Sequence, residues 1–154
     1  MAKQNPFTVY LAGPISNCNQ RQRTEWRKRL KTQLEPFGWV CIDPADHLND
    51  WTPSTEMAEI AKSDVVIANL WRESIGTVVG IVQARRKGKP VILIDPNYLD
   101  SANLEAVVGN QWIVHSVKAA VTKLQGDIVR QLEPRGSPKT GHRGSLQNRP
   151  TINR

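Results

Sequence analysis

The chain has 154 residues, 39% of them hydrophobic, and a net charge of +7. That length suits one domain with a real core. No run of about twenty apolar residues occurs, which excludes a membrane-spanning helix, and the short polar stretch 1–6 reads as neither a signal peptide nor a transit segment. Five of the seven net charges lie beyond Glu133, on Arg135, Lys139, Arg143, Arg149 and Arg154. Residues 1–133 are therefore near neutral, and the basic character belongs to a tail rich in Gly, Pro, Ser and Asn. Such a composition predicts disorder over 134–154. Its role is either solubility or a weak electrostatic hold on nucleic acid.

Residues 8–12 (TVYLA), closed by Gly13-Pro14, read as a buried strand and a turn. Over 20–35, Trp26, Leu30 and Leu34 recur at helical spacing, with Arg27, Lys28, Arg29 and Lys31 expected on the solvent side. Pro36 and Gly38 end that helix. A second strand over 39–42 closes at Asp43-Pro44. Thr52-Pro53 reads as a cap and first helical residue, leading through Met57 and Ile60. Residues 65–70 (VVIANL) have the unbroken apolar run of a central parallel strand. A loop over 71–76, a helix over 77–87, a strand over 90–94, a short helix over 102–108, a strand over 112–114 and a helix capped by Ser116 and running to 132 complete the chain. This alternation predicts an α/β fold: a five-stranded parallel sheet with helices on both faces, Rossmann/flavodoxin-like. Ligands of such sheets bind at the carboxyl ends of the strands, here the loops 13–20, 43–51, 71–77 and 95–101.

Two of these loops have the composition of anion sites. Gly13, Ser16 and Asn17 follow the first strand, and Glu73-Ser74-Ile75-Gly76-Thr77 opens a helix. A hydroxyl, a glycine and free N–H groups at a helix start attract an anion, although Ser74 serves equally as a helix cap and Gly13 as a turn residue. Cys18 and Cys41 are far apart, without a CxxC pattern, and read as reduced thiols of a cytoplasmic protein. His47, His115 and His142 have no partner at metal-ligand spacing, so neither a metal nor another cofactor is expected. Trp26, Trp39 and Trp112 fall on core positions. Trp51 and Trp71 fall in site-side loops, where one of them is a candidate to stack on a base.

The succession VYLAGPIS, EWRKRL, SDVVIANL, SIGT and GKPVILI resembles the nucleoside 2-deoxyribosyltransferase-like superfamily over about residues 7–115. The resemblance implies a nucleoside or nucleotide ligand, glycosyl transfer or hydrolysis through a carboxylate nucleophile, and a homodimer. The serine of SIGT resembles the branch that hydrolyses nucleoside monophosphates, so Ser74 is expected to meet a 5′-phosphate. By the same resemblance, Tyr10 matches a nucleophile-orienting tyrosine and Glu56 an acid facing the nucleobase. Asn110 matches a residue that completes the neighbouring subunit's pocket. One position departs from the pattern: Gly80 stands where the family has its nucleophilic glutamate. Glycine cannot form a glycosyl intermediate and enlarges the space near the sugar. Either another carboxylate serves, with Glu73 nearest in sequence and Asp46 and Asp50 farther away, or the protein binds a nucleotide without cleaving it.

Overall fold

The computed structural model describes residues 6–99 and 101–132; the expected tail over 134–154 lies outside the described residues. The strands are β1 (Thr8–Ala12), β2 (Val40–Ile42), β3 (Val65–Asn69), β4 (Val91–Ile94) and β5 (Ile113–Val114). They form one all-parallel sheet in the order β2-β1-β3-β4-β5. This is the flavodoxin-like order, whose switch point lies between β1 and β3.

The period-two alternation of the strands sorts the core into two layers. Val9, Leu11, Val65, Ile67, Ile92 and Ile94 face α1 (Gln20–Leu34) and the C-terminal helical segments. Tyr10, Ala12, Val66, Ala68, Val91 and Leu93 face α2 (Pro53–Lys62), α3 (Ile75–Arg86) and α4 (Ser101–Val108). The C-terminal segment is not one uniform helix. α5 (Val117–Lys123) passes through a π-helical stretch, Leu124–Ile128, into α6 (Val129–Leu132). Ala120, Leu124 and Ile128 all stay on the core face across that change.

Local chemistry explains the boundaries. Asn19 and Gln22 form a reciprocal capping box on α1, Thr52 caps α2 ahead of Pro53, and Ser74 caps α3. The Ser74 cap places the start of α3 two residues earlier than the sequence reading, so Ile75 and Gly76 belong to its first turn. Gly38, at φ 81°, turns the chain out of α1 and its short 3-10 extension, Glu35–Phe37, in a conformation that favours glycine. Asp64 is structural, as its position suggests: its carboxylate accepts from the N–H of Thr8 at 2.7 Å and ties the entries of β1 and β3 together.

One expectation about α1 fails. Arg27 is 1% exposed, not on the solvent side. Its Nη1 donates to Asp43 Oδ1 at 2.8 Å and to the Leu11 carbonyl at 2.9 Å, and its Nη2 donates to the Gly13 carbonyl at 3.1 Å. Lys31, also largely covered, reaches Asp43 Oδ2 and Asp46 Oδ2, each at 2.7 Å. The buried stripe of α1 is therefore wider than the Trp26–Leu30–Leu34 line. A guanidinium fits inside it because the carbonyls ending β1 and the carboxylate ending β2 converge there.

Candidate functional site

A cleft of about 520 Å³ opens at the carboxyl edge of the sheet, between the loops that follow β1 and β3. Its walls include Ser16 and Asn17 on one side and Ser74, Gly76 and Thr77 on the other, with Tyr10, Trp51 and Glu56 also lining it. The two loops singled out as anion sites thus face one space. Ser74 Oγ accepts from the backbone N–H of Thr77 at 3.3 Å and from its hydroxyl at 2.9 Å, leaving the Ser74 hydroxyl proton free to donate. The first N–H groups of a helix have no intrahelical acceptor, and Ile75 and Gly76, in the first turn of α3, line the cleft.

Arg72, not singled out from the sequence, also lines this cleft. Its guanidinium donates to the carbonyls of Ser16 and Asn17 and packs over the Trp71 ring, 5.1 Å from the centroid. It fastens the β3 loop to the β1 loop and brings a positive charge beside both. The sequence signal was a lone arginine next to the SIGT segment, with nothing in its spacing to show that it crosses to Asn17. Asn17 itself takes a left-handed conformation, φ 57°, which asparagine tolerates better than most residues.

Tyr10 and Glu56 meet in the same cleft. The Tyr10 hydroxyl donates to Glu56 Oε1 at 3.3 Å. Burial, reinforced by the neighbouring carboxylate, pushes the tyrosine pKa far up, so it remains a protonated donor. Burial also raises the pKa of Glu56, and among the described residues this carboxylate has no cationic partner. Trp51 tilts against Tyr10, with ring centroids 6.2 Å apart and an interplanar angle of 32°, and the ring of His47 stacks with it. Its buried indole N–H acts as a weak donor toward the Tyr10 hydroxyl. Trp71 instead packs on the α1 side of the sheet.

Of the other expected site residues, some line the cleft and some do not. Glu73 lines the cleft but is exposed and has no ion pair with a described residue. Asp46 is exposed, pairs with Lys31 and does not line the cleft. Asn110, in the turn Asn110–Trp112, is exposed and is likewise not part of the cleft wall. Gly13 borders the cleft, but a Cβ there would come 2.5 Å from Trp26 Cζ2, so packing against α1 is enough to require glycine. Gly80 is buried in α3, where a Cβ would sit 3.3 Å from Glu56 Oε1 and 4.0 Å from Ile60 Cδ1. Cys18 and Cys41 are free thiols, and burial pushes Cys41 up to about 11, away from thiolate chemistry. Among the described residues no group of three or more His, Cys, Asp or Glu is placed to hold a metal. No helix among them is long and apolar enough to cross a membrane.

No family model and no curated protein matches the chain. Solved structures do. A CMP N-glycosidase from Clostridium botulinum is 24% identical, with a TM-score of 0.55 over 77% of this chain and 98% of that one. A 2-deoxyribosyltransferase from Bacillus psychrosaccharolyticus is 16% identical, with a TM-score of 0.60 over 74% and 90%. A molybdenum cofactor carrier protein from Chlamydomonas reinhardtii is 12% identical, with a TM-score of 0.64 over 82% and 99%. With its β2-β1-β3-β4-β5 parallel sheet and a cleft at the β1/β3 switch point, the chain shares the fold of these N-glycosidase and 2-deoxyribosyltransferase structures.

Proposed function

We propose that this protein binds a nucleoside 5′-monophosphate in the β1/β3 cleft and acts on its N-glycosidic bond, by hydrolysis or by transfer of the sugar. The observation that carries the reading is one cleft with two unlike chemistries. One part holds the Ser74 hydroxyl, the first turn of α3 and the Arg72 charge, a setting for a phosphate dianion. The other holds the Tyr10–Glu56 pair and the Trp51 indole, a setting for a sugar and a base. The N-glycosidase and transferase structures of the same fold support the choice of substrate class.

The test is calorimetry with CMP and cytidine, together with chromatography of the released base. Ser74→Asp should weaken CMP by at least about tenfold through like-charge repulsion and leave cytidine unchanged. Equal losses for both ligands would remove the phosphate from this loop.

A second reading, a nucleotide-binding homologue without catalysis, is favoured by Gly80, which supplies no carboxylate from α3. It predicts CMP binding with no free cytosine. Assembly as a homodimer is part of the first reading: Ile75, Val78 and Val79 stand exposed on α3, 86%, 38% and 50% respectively, an apolar face for a second copy. The free thiols support a reducing, cytoplasmic setting. A weak hold on nucleic acid through residues 134–154 rests on their charge alone.

A further inference from the structure

We propose that Glu56 is the nucleophile of this site, a carboxylate delivered from α2 into the space that Gly80 leaves open on α3. The inference rests on the reading of the cleft as an N-glycosidic-bond site and names the residue that attacks.

Three observations converge on one oxygen. The first is Gly80: of the atoms around the side chain that it lacks, the nearest is Glu56 Oε1, 3.3 Å from an ideal Cβ. A residue of any size at position 80 would press on this carboxylate. The second is Tyr10, whose hydroxyl donates to the same Oε1. A tyrosine anchored in the central strand β1, 1% exposed, is a rigid orienting group. The third is the state of the carboxylate. Glu56 is half-buried, lines the cleft and has no ion pair with a described residue. It is therefore neither neutralised by a cation nor fully solvated, and a desolvated carboxylate is the more reactive one. Glu73, the other carboxylate of the cleft wall, is exposed and has no orienting partner among the described residues.

The chemistry balances with water as the only co-reactant. A carboxylate oxygen of Glu56 gives a lone pair to the anomeric carbon and forms a C–O ester bond. The C–N glycosidic bond breaks, and its electron pair stays on the base nitrogen, which takes a proton from solvent. Water then attacks the anomeric carbon. The ester C–O bond breaks, its electron pair returns to Glu56, and the surplus proton of the attacking water goes to solvent. The products are the free base and the sugar 5-phosphate, with one water consumed.

The experiment uses the full chain and the 2′-deoxy-2′-fluoro-arabinosyl 5′-monophosphates of cytosine, uracil, adenine and guanine. Fluorine at the 2′ position slows loss of the glycosyl ester, so a covalent adduct accumulates. Intact-mass analysis should show one fluoro-sugar phosphate per chain, and peptide mapping should place it on Glu56. Glu56→Gln should abolish the adduct and lower base release about a thousandfold or more, while CMP still binds by calorimetry and the circular dichroism is unchanged. Glu73→Gln should keep the adduct. Gly80→Ala, which presses a methyl against the carboxylate, should slow adduct formation without unfolding the protein. An adduct on Glu73, or base release that survives Glu56→Gln, overturns the assignment. CMP binding with no base release by the native protein also overturns it and leaves only the silent-binding reading. If no nucleotide binds at all, the reading of the cleft itself has failed, which calorimetry distinguishes from the other outcomes.

Discussion

Two carboxylates at the carboxyl edge of this sheet have opposite fates. Asp43, at the end of β2, is buried and fully answered: Arg27 and Lys31 each hold one of its oxygens, and the N–H of Ala45 donates to it at 2.9 Å. Glu56, on α2, is half-buried and receives one long hydrogen bond from a neutral phenol. The Asp43 network pins the first loop by gripping the Gly13 and Leu11 carbonyls through Arg27. Its carboxylate is matched by two cations and an N–H, which leaves it no capacity for a ligand. The Glu56 side keeps an under-satisfied carboxylate, packed beside the missing side chain of Gly80 and open to the cleft. Such unspent capacity is what a ligand can use.

The contrast breaks most visibly at Arg27. Arg27→Met removes the cation at the centre of the network and leaves the Leu11 and Gly13 carbonyls without their donor. Breaking a buried pair in this way costs about 3–5 kcal/mol, read as a lowered midpoint in urea unfolding. An unchanged midpoint would mean that Lys31 alone satisfies Asp43.

Gly13→Ala tests the same side through packing. The added methyl meets the Trp26 ring at 2.5 Å, inside contact distance. Overpacking should cost about 1–3 kcal/mol, and stability rather than CMP affinity should carry the effect. A selective loss of affinity would restore Gly13 to the role of a ligand-contacting residue.

Glu56→Gln sharpens the other side. Burial raises the pKa of Glu56 in the folded state, so its protonated form suits the fold better than its ionised form. The stability this lends is present below the unfolded pKa and is lost as pH rises through the folded pKa. Thermal melts should therefore show native protein and Glu56→Gln alike near pH 4, with the variant equal or slightly higher at pH 8. Base release by the native protein should rise through the same raised pKa as the carboxylate ionises. A variant that melts lower at pH 8 would make Glu56 a structural group like Asp43.

The smallest effect is expected from deleting residues 134–154. Their composition offers little to dock against the core, so melting temperature and CMP affinity should both be unmoved. A lower melting temperature would place this segment among the packed elements.

Much of this was legible in the chain itself. Among the described residues, period-two and period-3.6 patterns located the strands and the starts of α1 to α5 to within two residues, though not the π-helical stretch Leu124–Ile128, because burial on a sheet or helix face repeats with the geometry of that element. The Pro and Gly punctuation, the Thr52 cap and the two loops that line the cleft were equally readable. Arg27 was misplaced because sequence shows that a residue is charged, not that an acid and two carbonyls await it inside. Arg72 was missed because its partners, Ser16 and Asn17, lie more than fifty residues away in the chain.

The sequence by itself determined the alternating α/β architecture, the edge of the sheet where a site belongs, and the absence of a side chain at position 80. Only the tertiary structure decided which acid stands near that gap. Crossovers place α2 against α3 and β1 beneath both, so Glu56, Gly80 and Tyr10, separated by dozens of residues, share one small volume. Local propensity specifies elements, but a carboxylate's chemistry depends on burial and neighbours, and those exist only once the elements have packed.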